Sequence, residues 1–162
     1  MKKQRPTISI SEWKLAVHLE ATSKVQRDPL NPAFQCGCVE CIGWLSCYEE
    51  ILPVEVIREL KRVGIDLEYP TDLYKYKKSE AGSFIRVVYH VVGKILEGPN
   101  QWIDGRDGRS LCYQTMNETP FLSIVVFPQK QSFDHSPEFK PGLDGELIRI
   151  DLRLLLPSKY LN

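Results

Sequence analysis

Net charge is absent from this chain of 162 residues, in which 21 Lys and Arg face 21 Asp and Glu. Proteins that grip nucleic acid without sequence preference draw affinity from excess positive charge over phosphate, and here there is none. The same balance argues against an acidic mimic of DNA. Long apolar runs are missing too; none approaches the roughly 18 residues of a membrane-crossing helix. The opening Met1-Lys2-Lys3-Gln4-Arg5-Pro6 is basic, but no apolar segment follows it as a secretory signal requires. The expected compartment is therefore the cytosol, with neither membrane nor nucleic acid as a partner. Histidine is scarce, at three residues. There is no G-x-S-x-G, no H-E-x-x-H and no G-x-G-x-x-G. Gly105 and Gly108 lack the Lys-Ser/Thr of a phosphate loop and read as a hairpin turn. Neither an internal repeat nor a low-complexity linker interrupts the chain.

What remains is ordinary for a globular protein: 43% hydrophobic and 26% charged residues, enough to bury one core. One domain over 1–162 is expected, with 1–10 a loose arm. From Trp13 to Ala21 the apolar residues fall mostly on alternate positions, which predicts a half-buried strand. Pro29 and Pro32 mark a loop. Between Cys36 and Ile51, Cys41, Trp44, Leu45, Tyr48 and Ile51 recur at helical spacing. Pro53 suits the first turn of a second helix, and Gly64 suits its left-handed end. A short third helix is expected after Pro70, through Tyr74 and Tyr76.

The rest reads as strand. Phe84 to Leu96 places Ile85, Val87, Tyr89 and Val91 on one face, and Arg86, His90 and Lys94 on the other. Leu111 to Met116, Phe121 to Phe127 and Glu146 to Leu156 follow. Residues 128–145 form a long polar loop of the kind that often carries function. Helices set apart from antiparallel strands predict an α+β fold, a two-layer sandwich. About five strands would form the sheet, and two or three helices, inserted after the first strand, would cover one face. The other face would stay open to solvent or to a partner.

Four of the five cysteines crowd together as Cys36, Cys38, Cys41 and Cys47, which fits reduced thiols or metal ligands better than a disulfide framework. Zinc takes four ligands in a tetrahedron, often from two short cysteine pairs. Cys38-x-x-Cys41 makes one knuckle that Cys36 and Cys47 could complete, although C-x-C-x2-C-x5-C is not a standard spacing. The bland alternative is small buried hydrophobes at a helix start. No βαβ context supports a redox pair at Cys38 and Cys41. A nucleophile pair of Cys112 with His90 lacks a group to orient the imidazole. The acidic residues Asp134, Glu138, Asp144 and Glu146 gather in and beside the long loop, where a basic partner could meet them.

The order Cys-x-Cys-x-x-Cys, Leu52-Pro53-x-Glu55-Val56, Gly64-Ile65-Asp66 and Tyr89-His90-Val91-Val92-Gly93-Lys94-Ile95 resembles a family of small bacterial proteins of uncharacterised function. The resemblance covers residues 36–98, and none of its motifs is tied to a reaction. In size and architecture the chain is also similar to immunity proteins, which neutralise bacterial toxins by binding them. That likeness implies a non-enzymatic cytosolic protein that occludes a protein partner, in the extreme a cognate toxin. Its contact surface would be Arg86, His90 and Lys94, with Asp134, Glu138 and Asp144 of the loop. The alternative expectation is a small zinc-containing module built on the cysteine cluster, with no other cofactor.

Overall fold

The computed structural model describes residues 5–34, 36–99, 102–105, 108–111, 113–118, 121–140, 142 and 144–161. It is an α+β fold built on one open antiparallel sheet of seven strands. Strands β1 (Thr7–Ile10) and β2 (Trp13–Val17) open it, followed by helices α1 (Leu19–Gln26), α2 (Val39–Ile51) and α3 (Val54–Arg62). Then come β3 (Asp72–Ser79), β4 (Gly82–Glu97), the hairpin β5 (Trp102–Gly105) and β6 (Gly108–Leu111), β7 (Gln114–Glu118), β8 (Phe121–Pro128) and β9 (Glu146–Pro157). The β5–β6 hairpin forms its own two-stranded sheet.

The main sheet runs β1-β2-β4-β9-β8-β7, with β3 also paired to β4. Strand β4 is long enough to take two partners on one edge. Its first half, Gly82 to Val88, pairs with β3, and its last residues, Gly93 to Glu97, pair with β2. The window between them is closed by local groups. Thr71 N–H donates to the Val88 carbonyl at 2.8 Å and His18 N–H to the Val92 carbonyl at 2.7 Å. The Val92 amide donates to Thr22 Oγ1 at 2.9 Å. Gly93 is required at this crossing, because a Cβ there would lie 1.9 Å from the Ala16 carbonyl oxygen.

Alternation sorts the central strands into two faces. Ile85, Val87, Tyr89 and Val91 of β4 meet Ile148, Ile150, Leu152 and Leu154 of β9, and Leu122 and Ile124 of β8, in the main core. Helices α2 and α3 cover this face with Trp44, Tyr48, Val56 and Leu60. Trp44 Nε1 donates to Tyr89 Oη and to the Leu67 carbonyl, both at 3.0 Å, so α2 is tied to the middle of the sheet. Gly64, with φ of 82°, closes α3 as expected.

Several expectations need correction. Residues 7–10 form a half-buried strand, with Ile8 and Ile10 in the core, and not a loose arm. Strand β2 stops at Val17 because His18 Nδ1 accepts from the Ala21 amide at 3.1 Å and caps α1. Residues 72–79 are a strand and not a helix, since Tyr74 and Tyr76 serve the sheet once Leu73 pairs opposite Val87. The predicted strand from Leu111 to Met116 divides between β6 and β7. Cys112 lies outside the described residues.

The second sheet face, expected to be open, is covered as well. Helix α1 packs Ala21 and Val25 on Val92 and Leu147, with Phe139 beside them. Next to this patch lies a layer of buried charge. Asp151, with no exposed surface, accepts from Arg149 Nε at 2.9 Å and from Arg86 through two nitrogens. Asp134 of the loop closes over both guanidinium groups at 3.5 Å. Arg153 stacks between the rings of Tyr113 and Tyr76, at 4.2 and 5.3 Å from their centroids.

Removing one member of a buried ion network strands the others. Asp151→Asn is therefore expected to destabilise the fold by about 3–5 kcal/mol in urea titration. Lys24→Gln, which breaks only the exposed pair with Glu20, should cost less than about 0.5 kcal/mol.

Candidate thiol site

The segment leading into α2 carries two thiols, and the first turn of the helix carries a third. Helix α2 begins where Cys38 takes an extended conformation and its Sγ accepts the Cys41 amide at 3.4 Å, so a cysteine stands in the usual place of a serine or aspartate cap. That cap turns residue 41 back towards 38. Cys36, two residues before the cap, comes close to both. The Sγ atoms of Cys36, Cys38 and Cys41 all lie within 4.8 Å of one another, an arrangement that could hold a metal ion.

The three thiols sit in different environments. Cys38 is exposed, Cys36 half-buried and Cys41 buried. The Cys38 amide donates to the Cys36 sulfur, and the neighbouring thiols of Cys38 and Cys41 do the same. Together they hold the Cys36 thiol below its ordinary range, against burial and the Glu40 carboxylate. Burial pushes Cys41 well up, and the sulfurs of Cys38 and Cys36 add to it. Their surroundings thus favour the ionised form at Cys36 and oppose it at Cys41.

Cys36 and Cys41 also form part of the wall of a cavity of about 180 Å³, lined further by Trp44, Leu45, Glu68, Tyr69 and Leu73. Sequence reasoning missed this cavity. Its walls come from α2, the loop before it and the segment entering β3, and the hydrogen bonds of Trp44 to Leu67 and Tyr89 help to hold them together.

Cys47 does not join the group. It lies in the main core on the inner face of α2, and burial pushes its thiol up to about 12. Helical geometry explains the separation, since six residues from Cys41 put it more than a turn along and partly around the axis.

The residues expected to meet a partner are scattered. His90 is fully buried on the second sheet face, its Nε2 2.6 Å from Gln129 Oε1 and its Nδ1 2.6 Å from Thr71 Oγ1. It joins β4 to the segment before β3 and to the turn after β8, and burial lowers its pKa to about 3. Arg86 is held by Asp151 with little side-chain exposure. Lys94 and Glu138 are exposed. Asp134 and Asp144 face inwards in part, Asp134 to the two arginines and Asp144 to His18 Nε2 at 3.2 Å. The expected contact surface of Arg86, His90 and Lys94 is thus corrected: two of the three lie beneath the loop. A period-two pattern reports which side of a strand a residue takes, and nothing about what later folds over it.

Because His90 stays neutral when folded and titrates near 6.5 when unfolded, the unfolded chain binds more protons between those values. Its contribution is intact above pH 6.5 and is lost as pH falls towards 3, by at most about 1.4 kcal/mol per pH unit. Urea titrations of the wild type and of His90→Asn from pH 7 to pH 4.5 should show the shallower pH slope in the variant. Comparison with family models, with curated proteins and with solved structures finds no match to this chain.

Proposed function

We propose that this is a non-enzymatic binding protein whose tripod of Cys36, Cys38 and Cys41 takes up a thiophilic metal ion, zinc among them. The observation that carries the reading is the convergence of the three Sγ atoms within 4.8 Å at a helix start. Soft thiolate donors select ions such as zinc over magnesium or calcium. A zinc ion there would have three protein ligands among the described residues, and a fourth position for water or another ligand. Binding would tie the segment before α2 to its first turn, in the manner of a structural or regulatory module.

Purified protein incubated with cobalt(II) as a spectroscopic substitute should develop thiolate-to-metal absorption at one equivalent, and zinc should bleach it. Cys38→Ser should abolish the signal without unfolding, because a serine hydroxyl keeps the helix cap. A signal unchanged by Cys38→Ser ends the reading.

One observation favours a second reading, a protein that occludes a partner such as a toxin. Val39, Ile42 and Leu45 lie exposed on successive turns of α2, next to the thiols. Helix α2 is apolar on both sides, and exposed apolar stripes of this kind mark contact surfaces. The contact would then use α2 and not the sheet face. In this reading Ile42→Asp with Leu45→Asp removes binding to a toxin encoded beside the gene, and leaves the melting temperature within a few degrees. Full protection by the double variant counts against it.

A further inference from the structure

A tripod of three sulfurs can serve two kinds of thiophilic ion, and the two differ in what they require. A zinc ion needs a fourth ligand and three ionised thiols, and leaves the centre with a net charge of minus one. Trivalent arsenic or antimony needs three sulfurs only. Its lone pair occupies the remaining direction, and the product with three thiolates is neutral. From this contrast, and resting on the reading that the thiol tripod is an ion site, we propose that its preferred cargo is a trivalent, pyramidal thiophilic element. Arsenite is the representative species.

Three features of the site favour the neutral, three-coordinate product. Among the described residues the ligand group holds three sulfurs and no fourth histidine, cysteine or carboxylate. The charged groups around it do not favour an anion. They are mixed in sign: Glu40 is paired with Lys75 at 3.6 Å, Glu68 lines the adjoining cavity, and Lys75 and Lys78 line the pocket at Cys38 beside Glu40 and Glu80. The positive end of α2 offsets part of one negative charge, and its Cys41 amide already donates to Cys38 Sγ. On the side of Cys36 and Cys41 the adjoining cavity is walled by Trp44, Leu45, Tyr69 and Leu73 together with Glu68, and there burial of a charge is costly where a neutral centre is not.

The proton balance points the same way. Arsenous acid carries three hydroxyl groups. Three As–O bonds break, three As–S bonds form, and each hydroxyl leaves as water with one thiol proton. Arsenic stays trivalent, so no oxidant or reductant is consumed. The exchange therefore releases no proton to solvent. Zinc instead must expel those protons into solvent, so its affinity falls as pH falls.

The test uses the full chain, reduced and metal-free, with sodium arsenite and zinc chloride as probes. Native mass spectrometry should show one arsenic per chain with the loss of three protons, and thiol titration should show three sulfurs protected. Arsenite affinity should change little between pH 6 and pH 8, whereas zinc affinity should rise steeply over the same range. Cys38→Ser should weaken arsenite binding roughly 100-fold, as loss of one arm of a chelate does, while Cys47→Ala leaves it unchanged. If zinc binds at the tripod and arsenite fails to displace it, the preference for arsenic is wrong and the ion-site reading stands. If neither probe binds and all three thiols react freely, both fall. Arsenite binding that survives Cys38→Ser also overturns the inference.

Discussion

Hydrogen bonding between β4 and β9 runs in register from Gly82 opposite Pro157 to Gly93 opposite Glu146, and both layers of the molecule are placed by it. The pairing puts Tyr89 beside Ile150 in the core and, one residue on, His90 beside Arg149 on the reverse side. A slip of one residue would exchange the two faces, burying Arg149 and Asp151 beneath Trp44 and turning Ile148 and Ile150 to the loop. Two chemically different layers therefore enforce a single register. The apolar side supplies the hydrophobic driving force, and the charged side penalises every alternative by leaving guanidinium groups without Asp151.

Much of the architecture was legible because it depends on short-range periodicity. Alternation along 84–96 and 146–156 identified the two central strands and their inner residues. The proline–glycine bracket around α3 and the stripe through Trp44 and Tyr48 identified two helices. The misreadings share a cause. Trp13 to Ala21 alternates apart from Ala16, yet His18 leaves the strand because its imidazole caps α1, a use that periodicity does not record. Leu73 to Tyr76 was read as part of a short helix, and pairing to β4 makes it strand. Arg149, Asp151 and Arg153 alternate with leucines and isoleucines as a solvated face would. What the sequence could not show is that Asp134 of the loop closes over Arg149, and that Tyr113 and Tyr76 stack on Arg153.

The thiol site was half visible. Cys36, Cys38 and Cys41 were evident as a cluster because their spacing is local. The separation of Cys47 follows from the helix that the same residues begin, and knowing where the cap falls would have removed it from the ligand set. The cavity beside the sulfurs was beyond reach, since Glu68, Tyr69 and Leu73 join it from another part of the chain.

The shared edge of β4 has a bearing on how such a protein can change over generations. Strands β2 and β3 reach that edge separately, on either side of the stretch bridged by Thr22 and Thr71. A residue gained or lost in the tight turn from Ser79 to Gly82 would shift the alignment of β3 alone. The arm formed by β1 and β2 would keep its own alignment, anchored where Gly93 passes Ala16. The two halves of one sheet border can therefore drift independently, and length variation among descendants of this chain should accumulate on the β3 side while the β2 side stays constant in length.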